Sequence, residues 1–234
     1  MHTLHCALTG LQSIPSYTDA IVIIDVLSFT SCVEIALTNG GKVYPYRWKD
    51  ASAEIYAQQK GIPLARKREV SGNGFSLSPS SMTNIQSGQG IVLPSPNGST
   101  LTVEAANTGK PVYAACLRNA EAVAGHLNQY YKEVAVIAGM EQWPNGQTRF
   151  ALEDWLGAGA VLNGLIGEKS PNARAAMASF QAVESRLKQE LLACFSGKEL
   201  IERGYEEDVL LASVWNVSQT IPQYSGDSYQ SFES

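Results

Sequence analysis

The stretch that most constrains the fold is residues 21–24, an unbroken run of isoleucine and valine. It is too short to span a membrane, and its lack of polar alternation predicts a strand buried on both faces of a parallel or mixed sheet. The run ends at Asp25, and apolar spacing over residues 33–37 predicts a helix that the Asn-Gly-Gly sequence at 39–41 closes. Asp25 therefore lies where a buried strand becomes a helix, which is where ligands bind in α/β sheets. The alternative is that Asp25 only caps the helix.

Strand and helix patterns alternate along the rest of the chain. The predicted strands and extended pieces are residues 4–8, 42–46, 62–65, 90–93, 111–116 and 133–139. The predicted helices are residues 50–59, 101–107, 120–130, a long helix that begins near 150, 172–195, 197–204 and 209–216. This alternation predicts an α/β fold. Because no linker pattern is present, we expect one domain over 1–222, as a single unit or two intertwined subdomains, and a frayed polar tail over 223–234.

Composition excludes several classes of function. The chain has 234 residues, of which 44% are hydrophobic, enough to bury a sizeable core. Its net charge is -5 and it has no Lys/Arg-rich run, so we expect no nucleic-acid partner. We expect no membrane span and no secretory signal, because no apolar run has the required length or flanks. The four cysteines are widely spaced without a CxxC motif, which favours a cytoplasmic protein.

The turn at residues 95–99 lies between a predicted strand and a predicted helix. Its small polar residues Ser95, Asn97, Gly98 and Ser99 would bring hydroxyls and backbone N–H groups together at the helix N-terminus, which favours anion binding. The spacing of a Walker A motif is absent, and an ordinary strand-to-helix turn would look similar. We interpret the turn as a phosphate site.

Arg118 and Asn119 occupy a second predicted switch from strand to helix. An arginine there can fork onto a phosphate or carboxylate, and the alternative is a surface salt bridge. We expect Arg118 to act in catalysis and Asn119 to join the phosphate site.

Glu153 and Asp154 lie in the first turn of the long helix that is predicted from residue 150. Two acids at that position complement the helix dipole, which is the structural alternative. Together with Asp25 they could instead supply the oxygen ligands that Mg²⁺ prefers. The sequence therefore predicts Asp25, Glu153 and Asp154 as metal ligands.

The segment over residues 66–90 lacks a clear periodic pattern. It opens with Arg66, Lys67 and Arg68 and continues with many glycines and serines. A loop of this length is either functional or a solvated surface loop, and the sequence leaves both open.

The order of these segments resembles the 2-phosphosulfolactate phosphatase (ComB) family over nearly the whole chain. The resemblance rests on a series of short motifs: Asp25-Val26-Leu27, Gly74-Phe75-x-Leu77, Pro96-Asn97-Gly98-Ser99, Asn119-Ala120, Phe150-Ala151-Leu152-Glu153-Asp154 with Ala158-Gly159, Ser196-Gly197-Lys198-Glu199-Leu200, and Gly204-x3-Asp208-Val209. It implies a three-layer α/β/α fold with a mixed, largely parallel sheet. It also implies Mg²⁺-dependent hydrolysis of a phosphate ester of sulfolactate, a step towards coenzyme M.

The chain departs from the family pattern at several positions. Ser28 stands where the family typically has arginine, and the loop over 74–81 lacks the family's Asp and Asn. Arg118 stands where the family usually has an uncharged residue, so we expect it to replace the missing cation.

The leading hypothesis is a Mg²⁺-dependent phosphatase of a small acidic phosphomonoester, 2-phosphosulfolactate or a related phospho-acid. Its partner would be that small anionic substrate, and the chain could form a homo-oligomer. Asp25, Arg118 and Glu153 would carry catalysis, with metal-activated water as nucleophile or a covalent route through Asp25 or Cys32. The alternative is a non-catalytic protein that binds a small anion or phosphometabolite and has lost turnover.

Overall fold

The computed structural model describes residues 1–47, 50–72, 74–143 and 145–232. Asn73 of the predicted long loop and residues 233–234 of the predicted tail lie outside these ranges. The strands are β1 (Thr3–Cys6), β2 (Ala20–Ile24), β3 (Lys42–Tyr46), β4 (Gly90–Pro94), β5 (Val112–Ala115), β6 (Val134–Ala138), β7 (Glu141–Gln142), β8 (Thr148–Arg149), β9 (Pro222–Ser225) and β10 (Ser228–Ser231). The helices are α1 (Ala7–Leu11), α2 (Phe29–Thr38), α3 (Ala51–Lys60), α4 (Arg68–Ser71), α5 (Pro79–Met82), α6 (Gly98–Ala106), α7 (Ala120–Tyr130), α8 (Leu152–Gly164), α9 (Pro171–Val183), α10 (Leu187–Ala193), α11 (Phe195–Glu202) and α12 (Glu206–Ala212).

Within the described residues, eight strands form one mixed sheet in the order β1-β6-β2-β5-β9-β10-β3-β4. The first four strands pair in parallel, and so do β3 and β4. The antiparallel hairpin β9–β10 joins these two parallel groups. The predicted α/β fold, a three-layer α/β/α arrangement with a mixed and largely parallel sheet, is confirmed.

Strand β2 lies inside the sheet between β5 and β6, and all its residues are buried. Ala20, Val22 and Ile24 join the core under α7, α8 and α9, whereas Ile21 and Ile23 join the core under α1 and α6. Because side chains alternate between the faces of a strand, one covered on both faces must be apolar throughout. Each such large side chain contributes about 1.5–3 kcal/mol through burial, so this strand anchors both helix layers.

Local signals in the sequence set several helix ends and contacts. Asp50 caps α3 by accepting the Ser52 backbone N–H, and Gly61 ends that helix in the left-handed conformation. Gly159 on α8 packs against α9 so closely that a Cβ atom would lie 2.3 Å from the Ala176 carbonyl oxygen.

Four predictions of element boundaries differ from the structure. Residues 222–231 are not a frayed tail but form β9 and β10 inside the sheet, with Tyr229 fully buried and its ring 5.6 Å from the Tyr224 ring. The predicted helix over 172–195 is broken at Glu184–Arg186, and the last helix ends at Ala212. The predicted irregular segment over 66–90 contains the short helices α4 and α5. No helix that the structure describes has both the length and the apolarity of a membrane span.

Candidate active site

Asp25 follows β2 and lies between the first residues of two helices. One carboxylate oxygen accepts the Phe29 N–H at the start of α2 at 3.1 Å, and the other accepts the Gly98 N–H at the start of α6 at 2.8 Å. The side chain is buried, so both helix dipoles stabilise its negative charge in a site of low dielectric. Asp25 therefore interacts with the start of α2, as the structural alternative expected, and it also anchors a second helix.

The predicted phosphate turn holds this carboxylate. The Gly98 N–H contacts both Asp25 and the Ser95 hydroxyl, whose oxygen is 3.1 Å from the Gly98 nitrogen. A Cβ atom at Gly98 would lie 2.2 Å from the Phe29 ring, so glycine is required for α6 to approach α2. Ser99 is fully buried and donates its hydroxyl to the Leu93 carbonyl at 2.7 Å. The groups at this turn thus have internal partners.

Glu141 in β7 is an acid of this site that sequence reasoning missed. Its carboxylate accepts a hydrogen bond from the Asn97 side-chain amide at 2.9 Å, which ties the β7–β8 hairpin to the turn before α6. Burial raises the pKa of Glu141 to about 7, and the charges of Asp25 and Glu153 add to this rise. Its two-residue strand has no periodicity that a sequence pattern could reveal.

Asp154 joins the ends of two neighbouring strands. One oxygen accepts the Val26 N–H after β2 and the other accepts the Met140 N–H after β6, both at 2.8 Å. Burial raises the pKa of Asp154 well above its usual range, and the charges of Asp25 and Glu153 contribute further. The two strand ends therefore depend on this one carboxylate for their hydrogen bonds.

Glu153 precedes Asp154 in α8 but has a different environment. Its side chain is 1% exposed, and its Oε2 atom has no hydrogen-bond partner among the described residues. Burial, then the charge of Glu153 and a side-chain hydrogen bond with that acid, raise the pKa of the neighbouring Cys194 thiol to about 12, so this thiol remains neutral and adds no second negative charge. A buried carboxylate oxygen without a partner is costly, and it marks a position where a ligand would be stabilising.

Asp25, Glu141, Glu153 and Asp154 are called the carboxylate cluster from here on. Their oxygens suit Mg²⁺, which commonly binds one or two carboxylates and keeps several waters. Among the described residues, no group of three or more His, Cys, Asp or Glu side chains is arranged to hold a metal ion. The donor set thus fits a cation that two carboxylates and water would hold, and it does not form a complete protein cage.

Arg118 lies after β5, next to the end of β2, as the sequence predicts. Its guanidinium forms an ion pair with the fully buried Glu34 of α2 and donates to the Leu211 carbonyl at 3.0 Å. Asn119 is fully buried, accepts the Cys116 N–H at 2.9 Å and donates to a backbone carbonyl at 3.1 Å. These contacts support structural roles for both residues.

Arg68 in α4 reaches the N-cap of α2. It donates to the Ser28 hydroxyl at 2.9 Å and to the buried carboxylate of Asp208 at 3.1 Å. Arg68 belongs to the basic start of the 66–90 segment and Asp208 to a family motif, but no sequence pattern indicated a role for either residue.

A cleft of about 840 Å³ lies against this arginine. Its lining comes mainly from residues 64–70 and 50–54, with Leu77, Pro94 and Arg203 completing it. None of the acids of the carboxylate cluster is among the described lining residues. The cleft approaches the cluster through Arg68, which contacts Ser28, and through Pro94, which precedes Ser95.

The chain is similar to known proteins over most of its length. The family model of 2-phosphosulpholactate phosphatase matches residues 8–227. A protein of Carboxydothermus hydrogenoformans named probable 2-phosphosulfolactate phosphatase is 29% identical over 211 residues, which cover 87% of this chain and 85% of that one. Proteins of the same name from Thermotoga petrophila and Thermotoga maritima are 32% and 31% identical over 207 residues, covering 86% of this chain and 87% of each of theirs. The predicted resemblance is confirmed, and the chain belongs to the 2-phosphosulpholactate phosphatase family.

Proposed function

We propose that this protein is a magnesium-dependent phosphatase that hydrolyses a small acidic phosphomonoester, 2-phosphosulfolactate or a related phospho-acid. Family membership supports the reaction class. The observation that carries the proposal is the buried Oε2 atom of Glu153, which has no hydrogen-bond partner among the described residues and lies within the carboxylate cluster. An excess of buried negative charge of this kind favours a bound cation.

Asp25 and Glu153 are the proposed metal ligands. When bound, Mg²⁺ would neutralise charge on the phosphoryl group and lower the pKa of an attacking water. Asp25 has an orientation fixed by two backbone N–H groups, so its position is set before substrate binds. Asp154 is assigned a positioning role, because both its oxygens hold strand ends.

Three residues that the sequence placed at the site are left out of the proposal. Ser99, Arg118 and Asn119 have internal partners, and two of them are fully buried. Cys32 is also fully buried, and burial raises the pKa of its thiol well above the usual range. A thiol in that environment remains protonated, which supports a packing role and leaves water or Asp25 as the nucleophile.

Glu153→Gln provides the test. The substitution keeps the size of the side chain and removes the unpartnered charge, so we expect Mg²⁺-stimulated hydrolysis of 2-phosphosulfolactate to fall by roughly a thousand-fold. Thermal unfolding in EDTA should be unchanged or shifted upwards, because the wild-type charge has no partner there. The measurements are phosphate release across a Mg²⁺ titration and melting curves of the same preparations.

Two results would contradict the proposal. Wild-type turnover that is insensitive to EDTA would show that the reaction needs no metal. A Glu153→Gln variant with full activity would show that Glu153 is not a metal ligand. Phosphate-induced stabilisation of a wild-type protein that hydrolyses no phosphomonoester would instead support the binding-only alternative. A cytoplasmic location, a homo-oligomeric state and a role towards coenzyme M are further parts of the proposal, and fractionation, light scattering and metabolite analysis would test them.

A further inference from the structure

Arg68 is held in one orientation by contacts on three sides. Asp208 is 1% exposed and accepts Arg68 Nε, while its other oxygen accepts the Ser78 hydroxyl at 2.5 Å and the Ser80 hydroxyl at 2.8 Å. The Tyr205 ring lies 5.2 Å from the centre of the guanidinium, a distance at which cation–π attraction contributes. A guanidinium fixed in this way loses little conformational entropy when it binds an anion.

The same guanidinium connects the cleft to the proposed reaction centre. It lines the cleft, and its Nη2 atom contacts Ser28, three residues after Asp25 along the chain. Arg66, Lys67 and Arg203 also line the cleft, together with the acids Asp50, Glu54 and Glu69. A volume of about 840 Å³ lies within the range of sites that bind small molecules, so the cleft has room for the part of a phospho-acid that is not transferred.

We infer that Arg68 is a specificity-determining residue, which binds the acidic group of the substrate that is not transferred, a carboxylate or sulfonate, while the phosphoryl group lies at the carboxylate cluster. The inference rests on the proposed function for the position of the phosphoryl group. A planar guanidinium has a charge and a donor geometry that suit the oxygens of either group and that a lysine does not reproduce. Arg118, the cation that the sequence favoured, pairs with Glu34 and the Leu211 carbonyl, and unlike Arg68 it is not among the described residues that line the cleft.

The test compares two phosphonates that no phosphatase step can hydrolyse. 3-Phosphonopropionate carries a carboxylate, and propylphosphonate has a methyl group in its place. Calorimetry in Mg²⁺ gives the ratio of their dissociation constants, which we call the acid preference. A folding defect lowers the active fraction for both ligands equally and leaves this ratio unchanged.

We expect the wild-type protein to prefer 3-phosphonopropionate by roughly ten- to hundred-fold, the range for a charge-assisted hydrogen bond. Arg68→Met should bring the preference to within about threefold of unity, and Arg68→Lys should retain only part of it. 2-Phosphonoethanesulfonate, measured in parallel, shows whether the sulfonate or the carboxylate is preferred.

Arg203→Met is the matched control. Arg203 lines the same cleft and its guanidinium lies 5.5 Å from the same Tyr205 ring, but its ion pair is with the exposed Glu69. The inference gives Arg203 no contact with substrate, so the variant should keep the acid preference within about twofold of wild type.

Three results would overturn the inference. They are an unchanged preference in Arg68→Met, a wild-type protein without a preference, and an equal weakening of both phosphonates, which would assign Arg68 to the phosphoryl group. Should Arg68→Met fail to fold, Arg68→Lys decides, because a preference equal to that of wild type contradicts a role for the planar fork. Because phosphonates are not turned over, this test can succeed or fail independently of hydrolysis of 2-phosphosulfolactate.

Discussion

Two sets of buried acids in this protein differ in what balances them. Glu34 and Asp208 are 0% and 1% exposed, and each forms an ion pair with an arginine that is itself mostly buried. In the carboxylate cluster, burial and neighbouring negative charges raise the pKa values of Glu141 and Asp154, and Glu153 leaves an oxygen without a partner among the described residues. The first set is neutralised by the fold, whereas the second requires a cation or protons.

Whether a buried acid has a matching cation distinguishes structural acids from functional ones better than the residue type does. Buried acids matched by guanidinium groups stabilise packing, although replacing such a pair with apolar residues can be neutral. Buried acids that lack a matching cation cost stability, and proteins retain them where a ligand binds or chemistry occurs. By this criterion Glu153 belongs to the site, and Glu34 belongs to the scaffold.

Breaking a matched pair should have the largest effect on stability. Arg118→Met leaves Glu34 as a buried charge without its cation, so we expect a loss of about 3–5 kcal/mol in the free energy of unfolding. Hydrolysis by the folded fraction should stay within about threefold of wild type, since the guanidinium has internal partners. Urea denaturation and steady-state kinetics check the two parts.

A control for this variant is Arg186→Met, which removes an exposed pair with Glu190 one helical turn away. It should cost under about 0.5 kcal/mol. If Arg118→Met loses its turnover while keeping wild-type stability, the sequence-based prediction of a catalytic Arg118 is the better one.

Removing an acid that has no matching cation should increase the free energy of unfolding, and the increase should depend on pH. The folded-state pKa of Glu141 is raised to about 7 from its ordinary value of 4.5, so ionising it costs stability. That cost is absent below about pH 4.5, grows as the pH rises towards 7 and is complete above it. In EDTA, Glu141→Gln should therefore be about 2–3 kcal/mol more stable than wild type at pH 8 and less than about 1 kcal/mol more stable at pH 5.

Chemical denaturation at the two pH values checks this prediction. A variant that is destabilised equally at both values would show that the hydrogen bond from Asn97, and not the charge, dominates at this position.

The smallest effect is expected where the arginine cleft meets α2. Ser28→Ala removes the hydroxyl that accepts from Arg68 Nη2, which should weaken 3-phosphonopropionate binding about two- to tenfold through looser orientation of the guanidinium. Propylphosphonate binding and the melting temperature should change little. Equal weakening of both ligands would place Ser28 in contact with the phosphoryl group instead.

The sequence predicted the fold well where one pattern decides the structure. Residues 21–24 required burial on both faces, and Asp50 and Gly61 marked the ends of α3. The hairpin over residues 222–231 was not predicted, because its serines and glutamines are typical of a polar tail. Tyr229 is nevertheless buried by strands from distant parts of the chain. Long-range pairing of this kind leaves no local periodicity.

The candidate site was predicted only in part, for a related reason. Asp25, Glu153 and Asp154 were found because each stands at the end or start of a regular element. Their different environments depend on contacts across the fold, such as the Asp154 bonds to Val26 and Met140, so spacing could not distinguish them. Arg68 lies in a segment without periodicity, and its proximity to Ser28 follows from tertiary packing.

The place of the β9–β10 hairpin has a consequence for how the chain is made. Ribosomes add residues 222–231 after every other strand of the sheet, yet these residues pair on one side with β5 and on the other with β3. Until they emerge, β5 and β3 lack the strands that pair with them across this seam. Unpaired strand edges attract other strands, so chaperones that shield nascent chains should matter most in this interval. The central seam of this sheet is therefore completed only after all its other strands have been synthesised.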